Sequence, residues 1–186
     1  MATTEPDATE DRVPLCVDLD GTLIATDLLW VSLLQVLRQA PWLVLAAPFW
    51  WRRGRGFLKA QLARRARLDF ARLPYRGDLL AFLRESRAGG RRLVLVTGSH
   101  ESYARELAER LGLFEDVLAT TAECNVTGRR KAALLVERYG RRGFDYIGNS
   151  RVDLPVWAAA RRALVAYAPR RVRMRARALG NVEREW

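Results

Sequence analysis

Residues 13–22 read VPLCVDLDGT. Val13 to Leu19 is a short apolar run, of the kind that forms a strand buried on both faces. It ends in two acids, Asp18 and Asp20, two positions apart. Carboxylates placed there repel each other and are unfavourable without a cation or hydrogen-bond donors. A metal ion supplies the cation. Gly21 permits the sharp turn that lets backbone amides approach an anion. In an open α/β sheet, that end of the strand is where ligands bind. The competing reading is a solvated Asp-rich turn.

Working outward, further apolar runs follow. Arg92 to Thr97 (RLVLVT) reads as a second strand, Asp116 to Thr120 as a weaker third, Phe144 to Gly148 (FDYIG) as a fourth and Ala163 to Tyr167 as a fifth. Helical stretches separate them. His100 to Leu111 carries Tyr103, Leu107 and Leu111 at helical spacing and stops at Gly112; Arg129 to Tyr139 stops at Gly140. Asp153 to Ala163 is another. Strands alternating with helices in this way imply an α/β fold: a Rossmann-like parallel sheet flanked by helices.

The connection from the first strand to the second is much longer than one crossover helix needs. It holds helical patterns of its own at Leu28–Arg38, Trp42–Arg53, Phe57–Arg67 and Asp78–Arg87. The simplest account is a helical cap inserted after the first strand, with Asp78–Arg87 returning the chain. The organisation expected is a disordered lead over 1–12, a core over 13–24 and 91–168, a cap and return helix over 25–90, and a basic tail over 169–186.

The whole composition fits this reading. A chain of 186 residues suggests one domain with an insertion, and 49% apolar residues are enough for a full core. The formal charge is +11, and Arg supplies almost all of it: Lys59 and Lys131 are the only lysines. Such a surplus attracts polyanions. The plain alternative is that Arg replaces Lys on solvated faces. Cys16 and Cys124 form no metal or redox motif, and Cys16 reads as a core residue. Residues 1–12 have no apolar stretch of the signal-peptide kind.

One apolar segment stands apart. Trp42 to Trp51 (WLVLAAPFWW) is too short to cross a bilayer, which needs about 20 residues. It carries three tryptophans and leads into Arg52, Arg53 and Arg55. Aromatics beside basic residues suit a membrane interface, and equally a cap core. The cluster Arg170, Arg171, Arg173, Arg175 and Arg177 fits an anionic surface, a solvated helix face or RNA. No nucleic-acid recognition motif is present, so nucleic acid is not an expected partner.

DLDGT after an apolar strand resembles the first signature of the haloacid dehalogenase superfamily. The remaining signatures follow in order. A strand ends in Thr97, Lys131 opens a helix, and Gly148-Asn149-Ser150-Arg151-Val152-Asp153 resembles the family's GDxxxD. The resemblance implies a phosphatase with Asp18 as nucleophile and Asp20 as general acid and base. It implies phosphate binding by Thr97, Gly98 and Lys131, and Mg2+ held by Asp18, Asp20, Asn149 and Asp153. Asn149 departs from the pattern, because the family usually has Asp there. An amide oxygen still ligates magnesium but brings no charge. Three explanations stay open: a natural variant with weaker metal binding, an engineered substitution and a degenerate site. Lys131 also carries its own argument. In a chain that uses Arg nearly everywhere, a kept Lys suggests a need for a compact ammonium.

A closer resemblance is to the haloacid dehalogenase domain found ahead of UbiA-like membrane prenyltransferases. It rests on the tryptophan-bearing cap, the stretch RGFDYIGNSRVDLPVWAAARRA and the basic tail with ALGNVE. It implies a substrate such as a polyprenyl-phosphoryl ribose 5-phosphate, and a cytoplasmic location at the inner face of the membrane beside such a prenyltransferase. The alternatives are a soluble phosphatase for a small metabolite and a catalytically weak docking module for a membrane protein.

Overall fold

The computed structural model describes residues 13–186; the acidic lead expected over 1–12 lies outside them. Strands β1 (Leu15–Val17), β2 (Leu93–His100), β3 (Asp116–Thr120), β4 (Asp145–Gly148), β5 (Ala163–Val165) and β6 (Val182–Glu185) form one sheet in the order β3-β2-β1-β4-β5-β6. Every pairing is parallel. β1, the strand that carries the acids, is central and pairs with β2 on one side and β4 on the other. Side chains of a strand alternate between faces, and β1 shows it. Leu15 and Val17 enter one apolar cluster, with Leu79, Leu83, Tyr103 and Leu107. Cys16 enters the other, with Leu135, Phe144, Val156 and Trp157. A sheet buried on both faces reads as unbroken apolar runs, which is why its first five strands were legible.

Helices α4 (Gly77–Ala88) and α5 (Glu101–Leu111) supply side chains to the first cluster. Helices α6 (Gly128–Tyr139), α7 (Leu154–Ala159) and α8 (Arg170–Arg177) cover the second. The expected return helix is α4, and Leu79, Leu80 and Leu83 bury it in the main core. Residues 169–186, expected as a basic tail, hold two regular elements. They form α8 and the edge strand β6, with Ala176 buried and Arg170, Arg171, Arg175 and Arg177 turned to solvent. β6 reads VERE and has no apolar run to announce it. Charged side chains are usual on an edge strand, which must resist further pairing. Trp186 closes this end by packing edge-on against Phe82 at 5.3 Å between centroids.

The cap comprises α1 (Leu28–Gln39), a 3-10 segment (Pro41–Ala46), α2 (Ala47–Arg52) and α3 (Arg55–Ala63). It has its own small core of Val36, Trp50, Leu58, Leu62 and Ala66. The chain enters and leaves it at one place. Ala25 donates to Pro74 O at 2.8 Å, Arg76 donates to Leu23 O at 3.0 Å, and Ile24 pairs antiparallel with Tyr75. That two-stranded neck fixes the cap above the carboxyl end of β1. A second attachment lies at α3. A Cβ on Gly56 would come within 2.5 Å of Thr121 O, so only glycine lets this helix seat on the 121–122 loop.

Of the three tryptophans in Trp42–Trp51, Trp50 is buried in the cap core while Trp42 and Trp51 are exposed. Among the described residues no helix is long and apolar enough to cross a membrane.

Candidate active site

A pocket of about 510 Å³ opens at the carboxyl ends of β1, β2 and β4, beneath the cap. Asp18, Asp20, Gly98, Lys131, Asn149 and Asp153 all line it. Residues more than a hundred positions apart therefore meet where the sheet topology places a ligand.

Asp18 follows β1 directly and is buried. Its Oδ1 accepts from Lys131 Nζ at 2.6 Å and its Oδ2 from Thr22 Oγ1 at 3.1 Å. Burial, reinforced by Asp153 and Asp20, pushes the Asp18 carboxyl up to about 7 against the pull of Lys131. Gly21, at φ +74°, turns the chain just beyond. The turn that follows is tight: Thr22, Leu23 and Ile24 all donate to Leu19 O.

Asp20 is held from three directions. Its Oδ1 accepts from Leu28 N at 2.8 Å, at the first turn of α1. Its Oδ2 accepts from Ser99 Oγ at 2.7 Å and Thr97 Oγ1 at 3.2 Å. Burial raises its carboxyl above the usual range, and those donors hold it back only in part. A hydroxyl accepts as readily as it donates, so a protonated Asp20 keeps its partners.

The end of β2 explains where Thr97, Gly98 and Ser99 point. The register with β3 breaks between Thr97 and His100. Such bulges re-aim side chains beside active sites. Thr97 is fully buried; its hydroxyl is engaged by Asp20 and by Ser99 N at 2.9 Å. Gly98 and Ser99 face the pocket instead. His100 caps α5 by accepting from Ser102 N.

Lys131 rises from α6 into the floor of the pocket and is buried. Burial disfavours its charge, yet Asp18 and Asp153 outweigh that and hold the ammonium above its ordinary range. It also donates to Tyr146 Oη at 2.8 Å, and Tyr146 donates to Asp153 Oδ1 at 2.8 Å. Asp153 Oδ2 accepts from Asn149 N at 3.2 Å, Ser150 N at 3.0 Å and Ser150 Oγ at 2.9 Å. The carboxylate thus organises the loop after β4.

The donor chemistry fits a hard divalent cation. Asp18 contributes a carboxylate, the Asp18–Gly21 turn backbone carbonyls, and Asn149 an amide oxygen. The Asn149 side chain lies directly over the turn: a Cβ on Gly21 would come within 2.2 Å of its Nδ2. Among the described residues no three His, Cys, Asp or Glu side chains converge as a metal-binding group. A cation here would rely on amide and carbonyl oxygens beside Asp18, with Asp153 positioning the loop that carries Asn149.

Sequence reasoning missed three residues that line the pocket, Ser99, Arg55 and Lys59, and one buried behind it, Tyr146. Ser99 sits within the second signature but was not singled out. Tyr146 looks like a core residue of its strand. Arg55 and Lys59 come from α3 of the cap and line the pocket mouth. Lys59 Nζ donates to Gly98 O at 2.5 Å and Asn125 Oδ1 at 2.9 Å.

The family of haloacid dehalogenase-like hydrolases matches residues 15–158, and the chain belongs to it. An uncharacterized protein of Sinorhizobium fredii, y4nM, is 35% identical over 165 residues. That match takes in 89% of this chain but only 32% of the relative, so the chain spans about a third of that protein's length. Among solved structures, a Bordetella pertussis Tohama I protein of unknown function superposes with a TM-score of 0.67 at 18% identity, covering 92% of this chain and 97% of the other. A phospho-aspartyl intermediate analogue of phosphoserine phosphatase superposes with a TM-score of 0.61 at 14% identity, covering 94% and 92%. These likenesses bear out the fold: a parallel sheet flanked by helices, of the haloacid dehalogenase type.

Proposed function

We propose that the chain is a magnesium-dependent phosphomonoester hydrolase working through an aspartyl-phosphate on Asp18. The observation that carries this reading is the 2.6 Å contact between Lys131 Nζ and Asp18 Oδ1 in a pocket that also holds Asp20. A carboxylate nucleophile approaches a phosphate only where cations and donors offset the repulsion. Magnesium, when bound at Asp18, the Asp20 carbonyl and Asn149, supplies charge neutralisation for both nucleophile and phosphoryl group. Asp153 supports that set through the loop it holds.

An Asp18 carboxylate oxygen attacks phosphorus, and the bond from phosphorus to the leaving oxygen breaks. Asp20, protonated, gives its proton to that oxygen. Its raised carboxyl keeps the acid form accessible, and the Ser99 and Thr97 hydroxyls hold it in place. Water then attacks the aspartyl-phosphate while Asp20 takes its proton, releasing phosphate and restoring Asp18. Lys131 and the Gly98 and Ser99 edge of β2 face the phosphoryl oxygens; Thr97 acts through Asp20.

The exposed cap favours a finer reading, in which the substrate is a lipid-linked sugar phosphate such as a polyprenyl-phosphoryl ribose 5-phosphate at the inner membrane face. Trp30, Trp42, Leu45, Phe49 and Trp51 all stand in solvent beside a run of arginines. The resemblance to domains that precede UbiA-like prenyltransferases agrees with a chain spanning about a third of a longer relative. A soluble small-metabolite phosphatase is the alternative, and vesicle flotation separates the two. The docking-module alternative has Asn149 in its favour.

The deciding experiment is hydrolysis of p-nitrophenyl phosphate with and without magnesium, by the native chain and by Asp18→Asn. Magnesium-dependent turnover that disappears in the variant supports the proposal. Turnover that survives Asp18→Asn refutes the nucleophile.

A further inference from the structure

Arg55 and Lys59 lie four residues apart on α3, which places them on one face of the helix. Two like charges at that spacing destabilise a helix by a few tenths of a kcal/mol. Among the described residues neither side chain forms an ion pair, and Asp20 and Asp27 act on Lys59 only from beyond contact distance. Arg55 is exposed and only stacks on Trp51, 5.5 Å from guanidinium to ring. Lys59 is largely buried, and burial lowers its pKa, with Arg55 pushing the same way against Asp20 and Asp27. Two of its three N–H donors are satisfied by neutral oxygens, Gly98 O and Asn125 Oδ1.

A largely buried ammonium whose hydrogen bonds go only to neutral acceptors is under-compensated. Both cations line the same pocket as Asp18 and Lys131. Lys131 is already paired with Asp18, so it belongs to the reacting phosphoryl group. The cap pair is additional positive charge at the mouth, on the side the leaving alcohol would occupy. Gly56 sits between them and fixes their height, because it alone lets α3 approach the 121–122 loop.

We propose that Arg55 and Lys59 form an anion subsite on the cap that selects phosphomonoesters whose alcohol carries a second negatively charged group, a phosphate or carboxylate. The assignment rests on the hydrolase reading for its orientation, with the hydrolysed phosphate at Asp18 and the second anion under α3. Lys59 has a second task, since its bond to Gly98 O ties the cap to the edge of β2. Arg55 has none, which makes it the cleaner probe.

The test is equilibrium binding to the full-length Asp18→Asn protein in magnesium, by calorimetry. Two pairs of probes differ by one anionic group: ribose 5-phosphate against ribose 1,5-bisphosphate, and glycerol 3-phosphate against 3-phosphoglycerate. At least one doubly anionic ligand should bind ten times more tightly than its partner. Arg55→Met and Lys59→Met, each added to Asp18→Asn, should bring that ratio below about three, and Lys59→Arg should restore it. Added salt should shrink it. Equal affinities within both pairs, no binding of any probe, or a preference that survives both Met substitutions would overturn the subsite. Turnover by the native chain is read separately. A charge preference without turnover of any phosphomonoester removes the hydrolase reading and keeps the subsite. Turnover without the preference does the reverse.

Discussion

Lys131 Nζ and Asp153 Oδ1 are 3.9 Å apart, and the hydroxyl of Tyr146 stands between them, accepting from the first and donating to the second at 2.8 Å each. Tyr146 is fully buried, so no water can replace it without rearrangement. Tyr146→Phe keeps the ring in the core and removes one donor and one acceptor. Leaving buried polar groups unsatisfied costs about 1–3 kcal/mol, so the unfolding midpoint should fall accordingly. Lys131 loses a contact that aims it at Asp18. Turnover should drop on the order of tenfold, about 1.4 kcal/mol of barrier. Steady-state kinetics on p-nitrophenyl phosphate check this: kcat falls while KM changes little. A variant with lower stability and native kcat would show that Tyr146 serves the fold alone.

Asn149 sits over Gly21 where the family pattern has an acid. Asn149→Asp adds a charge near Asp18 without changing shape. In metal-free protein the added repulsion should lower the melting temperature by a few degrees. Magnesium should restore it, and the magnesium concentration for half-maximal activity should fall at least tenfold. Thermal melts with a magnesium titration read both effects. A melting temperature indifferent to magnesium in both proteins would remove Asn149 from the metal set.

Asp145 supports the site from beneath. It is fully buried at the start of β4 and accepts from Arg161 Nε and Nη2 at 3.0 and 2.8 Å, from Arg162 N at 3.1 Å and from Arg91. Breaking a buried ion pair by removing one partner costs about 3–5 kcal/mol. Asp145→Ala should therefore lose that much in denaturant unfolding. A loss below about 1 kcal/mol would mean the two arginines find water at no cost.

The sequence made the catalytic floor legible because its parts are local. Asp18 and Asp20 end one apolar run, and Gly148 to Asp153 end another. Each run is a strand in a sheet covered on both faces, so the pattern survives folding. Lys59 was not legible, because its meaning depends on α3 crossing to Gly98 and Asn125, contacts 39 and 66 residues away. Tyr146 was hidden by its own strand, where FDYIG reads as core. Within 169–186 the edge strand β6 was not legible, for an electrostatic reason. Arginines on the outer face of α8 and the charges of β6 conceal a buried side that is mostly Ala176 and pairing with β5.

The cap offers a last prediction. Trp42, Leu45 and Phe49 are spaced three and four residues apart between Pro41 and Arg52, the spacing that keeps side chains to one side of a helix. They are 67%, 82% and 60% exposed, whereas Trp50 in the same stretch is buried in the cap core. Leaving three large apolar groups in water forgoes roughly 1.5–3 kcal/mol each if a nonpolar surface is available to cover them. Arg52 and Arg53 follow immediately, and basic residues gain about 1 kcal/mol each near an anionic leaflet. The chain should therefore float with phosphatidylglycerol vesicles and stay behind with phosphatidylcholine alone. Trp42→Ser combined with Phe49→Ser should weaken vesicle binding at least tenfold while leaving the melting temperature within about 2 °C, because neither side chain is part of the cap core. Binding that survives the double substitution would move the contact elsewhere, with the arginines of α8 next in line. No binding to either vesicle would return the enzyme to soluble phosphomonoesters.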